Sequence, residues 1–324
     1  MGEFDLIAKY FSKHKQSSHK DVILSVGDDC AITQIRPEQN IAITTDTLVS
    51  GTHFLPTISP SDLAYKSIAV NLSDLAAMGA TPMWASLALT LPSIDHDWLS
   101  EFSDSLFNIL DQYNVSLIGG DTTKGHLSVT ITVQGVLEQH QGLFRHKAKS
   151  GDFIFVSNYL GDSAAGLDLL LNHSEKVYTQ EEKYLIYQHL HPIPQVELGQ
   201  LLTSYSQCAI DISDGLIADL KHILNRSQCG AEIYIENLPL SLALLSHCEK
   251  KEAELFALTG GEDYQLCFTV SANQRNSLEH ILKEQGFHCT CIGKITDEIN
   301  QIKLFDKGNE IMLPHHIGFD HFSK

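Results

Sequence analysis

Basic side chains are scarce in this 324-residue chain: 22 lysines and arginines stand against 40 aspartates and glutamates, for a net charge of -18. That deficit argues against nucleic acid or an anionic membrane as a partner, since both require a basic surface. Cysteine is sparse too, and badly arranged for cross-linking. The seven cysteines are odd in number and none forms a C-x-x-C pair, which predicts a reduced chain without structural zinc. Met1-Gly2-Glu3-Phe4-Asp5 has neither a basic nor an apolar segment, and Leu6 does not fit the acylation pattern, so no export signal is predicted and a cytoplasmic location is expected. Long hydrophobic runs are missing. The longest uncharged stretch, Leu75 to Ile94, is interrupted by Gly79, Pro82 and Pro92 and reads as a helix end, a turn and a buried strand. The Walker loop G-x-x-x-x-G-K-[ST], the protein-kinase catalytic loop and G-x-G-x-x-G are all absent, so any nucleotide site belongs to a less common class.

What is present suffices for two domains. At 43% hydrophobic residues, the chain can bury a core in each half. The stretch around which the rest is organised is Ser59 to Gly79. Ser59 suits a cap, Pro60 the first helical position, Asp62 the positive helix start and Gly79 a left-handed stop, which predicts one helix of roughly five turns. Leu63, Ile68, Leu72, Leu75 and Ala76 recur at helical spacing and form its inner face. Asp74 then lies on the last turn, where the helix dipole repels negative charge. It calls either for a cation, an arginine or a metal ion, or for partial exposure with a bond to a nearby loop.

Strand and helix patterns alternate in both halves, so the fold class is α/β (α+β), with a boundary near Lys149 to Gly151. Residues 1–149 form the expected N-terminal domain and 150–324 the C-terminal one. Carboxylates recur where the predicted strands end: Asp28 and Asp29, Asp46, Asp121, Asp211 and Asp214, joined by Asp74 from the helix. In α/β proteins ligands bind beyond the carboxyl ends of strands, so these groups are expected to converge on one crevice. Mutual repulsion there would be removed by divalent cations, and hard oxygen donors, including Thr44 and Thr45, select Mg²⁺. The alternative for each is that turns simply favour aspartate. Carboxylate-held Mg²⁺ points to a polyphosphate substrate, and Gly119-Gly120-Asp121-Thr122 lets backbone N–H groups approach phosphate. Arg145 is either a bidentate phosphate ligand or a surface side chain. Gly260-Gly261-Glu262-Asp263-Tyr264 is either a plain turn or one that exposes Glu262 to a ligand. The aromatic tail around Phe319 either packs on the second domain or closes over an aromatic ligand, and His53 is the one histidine of 17 that stands out.

Six segments carry a resemblance. Gly27-Asp28-Asp29-Cys30-Ala31, Thr45-Asp46-Thr47-Leu48-Val49, Asn71-Leu72-Ser73-Asp74-Leu75-Ala76-Ala77-Met78-Gly79, Gly119-Gly120-Asp121-Thr122, Asp211-Ile212-Ser213-Asp214-Gly215-Leu216 and Gly260-Gly261-Glu262-Asp263-Tyr264 run almost end to end. In that order they resemble the bacterial thiamine-monophosphate kinase family. The resemblance implies the two-domain fold of the aminoimidazole ribonucleotide synthetase superfamily, with N-terminal sheets pairing across a homodimer. It implies transfer of the ATP γ-phosphoryl group to thiamine phosphate, giving thiamine diphosphate, the last step in making that cofactor. It further implies several Mg²⁺ ions on Asp29, Thr44, Thr45, Asp46, Asp74, Asp121, Asp211 and Asp214, with K⁺ also possible. ATP would contact Gly120, Asp121, Arg145 and Ser213, while His53, Glu262 and Phe319 would line the thiamine phosphate site. One departure stands out: His191-Pro192-Ile193-Pro194-Gln195 replaces the family's Arg-Pro-x-Pro-Arg, and is assigned no phosphate-binding role. The rival readings are another ATP-using member of the superfamily and a non-catalytic protein that binds divalent metal.

Overall fold

A computed structural model describes residues 3–12, 21–26, 29–172, 177–315 and 317–318. The chain divides into two compact units, residues 1–75 with 80–141, and residues 76–79 with 142–324.

The first unit contains α1 (Glu3–Tyr10), β1 (Val22–Leu24), β2 (Ile32–Thr33), β3 (Gln39–Val49), α2 (Pro60–Met78), β4 (Thr81–Leu91), α3 (His96–Gln112), β5 (Ser116–Lys124) and β6 (Ser128–Glu138). The cap signals of α2 act as expected. Ser59 Oγ accepts the Asp62 N–H at 3.1 Å, and Gly79 ends the helix at φ +72°. Leu63, Ile68, Leu72, Leu75 and Ala76 are all buried. Leu75 reaches the sheet at Gly135, while Ser105 Oγ of α3 bonds the Ser61 carbonyl, so the two helices pack together over one face. Trp84, Val129, Ile131, Val133, Leu99 and Phe102 complete that core.

The sheet beneath them runs β3-β6-β4-β5 and is mixed: β6 is antiparallel to β3 and β4, whereas β4 and β5 are parallel. Among the described residues its other face carries exposed side chains. There Ile41 is 45% and Ile43 64% exposed, and Thr45 and Thr47 pair through their hydroxyls with Thr132 and Thr130.

The second unit contains β7 (Phe153–Ser157), α4 (Asp162–Asn172), α5 (Gln180–Leu190), α6 (Val196–Leu202), β8 (Cys208–Asp211), α7 (Leu216–Ser227), β9 (Gly230–Tyr234), α8 (Leu242–His247), α9 (Lys250–Thr259), β10 (Leu266–Val270), α10 (Ala272–Gln285), β11 (Cys289–Thr296), β12 (Ile302–Asp306) and β13 (Asn309–Ile311). Its seven-stranded sheet has the order β13-β12-β9-β11-β7-β10-β8. One core packs α7 on this sheet through Ile210, Ile217, Leu220, Leu224 and Ile154. A smaller one joins Ala165, Leu169, Leu185, Leu244 and Ala253 of α4, α5, α8 and α9. Because β10 is antiparallel to both β7 and β8, the loops after β7 and β8 and the loop before β10 meet at one end of the sheet. No helix among the described residues is long and apolar enough to cross a membrane. The seven cysteines are all free thiols.

Candidate active site

In the first unit, strand alternation sorts the residues of β3. Thr44, Asp46 and Leu48 point to the helix-covered side, while Thr45 and Thr47 point to the uncovered side. Asp74, on the last turn of α2, meets the covered set. Thr44 Oγ1 donates to Asp74 Oδ2 at 2.5 Å. Burial, then the charge and hydrogen bond of Asp74, push the Asp46 carboxyl up to about 7. Two neighbouring carboxyls resist ionising together, so this pair keeps a proton to higher pH than an isolated carboxyl does. The Thr45 hydroxyl is taken up by Thr132 at 2.8 Å on the opposite face, away from this group.

A second group lies at the other edge of the sheet. A cavity of about 690 Å³ has apolar walls from Ile7, Phe11, Val26, Leu117 and Ile118, and opens onto Gly119, Gly120, Asp121 and Asp29. Gly120 has φ +152°, and a Cβ there would stand 1.8 Å from the Leu87 carbonyl oxygen. Only glycine lets β5 lie this close to β4 while turning its backbone toward the cavity. His53, in the loop after β3, accepts the Val49 N–H through Nδ1 at 3.1 Å, which assigns the neutral ring's proton to Nε2.

The single crevice expected from strand ends is not formed by these groups within one copy. Asp46 pairs in register with Ile131, which pairs with Leu87 and then Gly120, all on the covered side. Asp121 shares its row with Ala88, Thr130 and Thr47 on the uncovered side. Asp46 and Asp121 therefore sit on opposite faces and at opposite edges, roughly 14 Å apart at three strand spacings. Both also lie inside their strands rather than at the ends. Among the described residues no three His, Cys, Asp or Glu side chains gather as a metal site. The rule of strand ends applies to parallel sheets, and antiparallel neighbours send successive carboxyl ends to opposite sides.

In the second unit, Asp211 is buried at the end of β8, and Ser213 and Asp214 follow in the loop into α7. That loop is shaped by a residue the sequence reading passed over. Asp219 Oδ2 accepts the N–H groups of Ser213, Asp214 and Gly215 at 3.0, 3.0 and 3.1 Å. Burial still pushes its carboxyl up to about 7 against those donors, with the charge of Asp214 adding to the rise. The loop before β10 lies against it. Glu262 N donates to the Ser213 carbonyl at 2.7 Å and Tyr264 N to that of Ile212 at 2.8 Å, and a Cβ on Gly261 would stand 2.6 Å from the Ser213 oxygen. Gly318 passes beside the Asp214 carbonyl, while Phe319 lies outside the described residues. The side chain of Arg145 is exposed, and its carbonyl accepts from Ser227 Oγ at 2.8 Å.

Three more polar groups, to which the sequence assigned no role, line this end of the second unit. Asp263 accepts the N–H groups of Gly161 and Ser163 at 2.7 and 3.2 Å at the start of α4, and burial pushes it up to about 8. Asp162 accepts from Ser241 Oγ at 2.6 Å and is pushed up by burial to about 6. His189 lies beside Glu262. Gly161-Asp162-Ser163 at a helix start was a legible signal, whereas the partners of Asp219, Asp263 and His189 depend on which loops meet.

Residues 27–137 match the N-terminal domain of the AIR synthase related proteins, and residues 151–303 match their C-terminal domain. All of the chain aligns with 99% of the thiamine-monophosphate kinase of Haemophilus influenzae at 53% identity. Among solved structures, the thiamine-monophosphate kinase of Stenotrophomonas maltophilia superimposes with a TM-score of 0.85 at 40% identity, covering 91% of this chain and 93% of that one. A structure of AaThiL complexed with AMPPCP and TMP superimposes with a TM-score of 0.79 at 33% identity, covering 98% and 96%.

Proposed function

Because the chain belongs to the AIR synthase related family and, within it, to the thiamine-monophosphate kinases, we propose that it transfers the γ-phosphoryl group of ATP to thiamine phosphate, yielding thiamine diphosphate and ADP. The observation that carries this reading is the 690 Å³ cavity, whose apolar walls suit a purine and whose lining includes Gly119 and Gly120 of β5 together with Asp29 and Asp121. The relative complexed with AMPPCP and TMP supports the same pair of substrates.

The donors fit magnesium. Thr44, Asp46 and Asp74 offer hard oxygens, and the burial and charge crowding that raise the Asp46 carboxyl are relieved by a cation. Asp29, Asp121, Asp211, Asp214 and the Thr45 carbonyl are the further oxygens we assign to Mg²⁺, and K⁺ is an additional candidate. When bound, magnesium screens the repulsion between two polyanions and neutralises charge on the transferring group. The backbone at Gly120 and the side chains of Asp121, Arg145 and Ser213 hold ATP in this reading. His53, Glu262 and Phe319 hold thiamine phosphate. The attacking oxygen belongs to a phosphate whose second pKa is about 6, so no side chain is needed as a base. The residues position two substrates for direct in-line transfer, with no phosphorylated enzyme intermediate.

Residues 1–149 supply ATP and metal contacts, and residues 150–324 complete the site. The uncovered sheet face with Ile41 and Ile43 is where a second copy pairs. The enzyme acts in the cytoplasm. The test is incubation with ATP, Mg²⁺ and thiamine phosphate, reading ADP and thiamine diphosphate. No ADP above background with this acceptor rejects the assignment.

A further inference from the structure

Glu262 has a fixed backbone and a long side chain, and something must hold its carboxylate in one place. Its φ is +64° and that of Tyr264 is +49°, two left-handed non-glycine residues separated by one position. The segment keeps this shape because it is bonded to the Ser213 and Ile212 carbonyls and closely packed at Gly261. Those backbone bonds do not by themselves set the three side-chain torsions, and the side chain is 27% exposed.

His189 stands where it can supply the rest. It is the second-last residue of α5, its side chain is 5% exposed, and Nδ1 lies 3.5 Å from Glu262 Oε2. The same nitrogen is 3.1 Å from Ser163 Oγ at the start of α4. Ser163 is itself held, since its N–H bonds to Asp263, the residue after Glu262. The helix start, the imidazole and the Glu262 loop thus form a closed set of contacts. Each fixes the next.

We infer that His189 is a positioning residue for the binding of thiamine phosphate. With its proton on Nδ1, the ring shares that N–H between Ser163 Oγ, which accepts at 3.1 Å, and the Glu262 carboxylate at 3.5 Å, and so keeps the carboxylate oriented for the substrate. This rests on the reading of Glu262 as a substrate contact. A side chain that acts only on the placement of one ligand contact changes the affinity for that ligand and leaves the chemical step alone.

The experiment is steady-state kinetics on the full-length enzyme with His189→Leu and His189→Asn, alone and combined with Glu262→Gln. Losing the 3.5 Å contact of Nδ1 with the carboxylate predicts a rise in KM for thiamine phosphate of about tenfold in His189→Leu. The KM for ATP and kcat stay within about threefold of wild type. Asparagine, whose amide nitrogen can take the place of Nδ1, restores most of the affinity. In the Glu262→Gln background His189→Leu adds nothing further, because the group it positions is gone. Additive losses in the double variant, or equal rises in both KM values, overturn the positioning role. If leucine at this buried position prevents folding, His189→Gln, whose longer amide reaches the place of Nε2 rather than Nδ1, carries the test with its melting temperature: a wild-type melt, a raised KM for thiamine phosphate in the single variant, and no further rise when it is added to Glu262→Gln are all required. A wild-type enzyme that makes no thiamine diphosphate sinks the functional reading instead, so the two failures are distinguishable.

Discussion

Thr44 and Asp74, thirty residues apart, meet at 2.5 Å where the covered face of β3 touches the last turn of α2, with Asp46 as the second carboxyl beside them. This group combines charge crowding with proposed catalytic use, so stability and activity should respond in opposite directions. Asp46→Asn or Asp74→Asn should cut turnover on the order of a hundredfold or more, since each removes charge from the magnesium-holding set. The melting temperature of the metal-free protein should stay level or rise, because one of two repelling carboxyls is gone. Near-normal turnover in both variants would show the set to be misassigned.

The same pair predicts a dependence on pH and metal. Asp46 titrates near 7 in the folded chain against 3.8 when unfolded, so between those values the folded state binds more protons. Its contribution to stability is complete below about 3.8 and is lost as pH rises toward about 7; Asp219, raised to about 7 by burial, acts in the same direction. Urea unfolding without metal should therefore show lower stability at pH 8 than at pH 5. Added Mg²⁺ should restore more at pH 8 than at pH 5, because it replaces a proton that is still bound at the lower pH. Equal gains at both pH values would count against metal at this pair.

Gly119 and Gly120 offer a paired comparison. At Gly120 a methyl group would overlap the Leu87 carbonyl at 1.8 Å in a backbone conformation that L residues avoid, whereas at Gly119 nothing lies within 4 Å. Gly120→Ala should cost at least about 2 kcal/mol and abolish ATP binding in calorimetry. Gly119→Ala should melt close to wild type. A Gly120→Ala protein that binds ATP normally would remove this strand segment from the nucleotide site.

The uncovered sheet face sets a prediction on assembly. Ile43 is 64% exposed on strand β3, next to the exposed Thr45. Ile43→Glu should elute as a monomer where the wild type elutes as a dimer, with far-UV circular dichroism unaltered because the side chain touches no core within one copy. A wild-type monomer at working concentration would refute pairing through this face.

Local signals in the sequence determined a good deal here. The span and caps of α2, its apolar face and the alternation of β3 all follow from contacts within a few residues, which are read directly from order along the chain. The order of six short motifs was enough to identify the family. Strand direction and register were decided by tertiary structure alone, because they arise from pairing between segments far apart in the chain. Asp46 and Asp121 looked equivalent as acidic residues near strand ends, yet a mixed sheet places them on opposite faces. For the same reason Asp219, Asp263 and His189 carried no local mark: their partners are the backbone N–H groups and carboxylate of loops that only folding brings together.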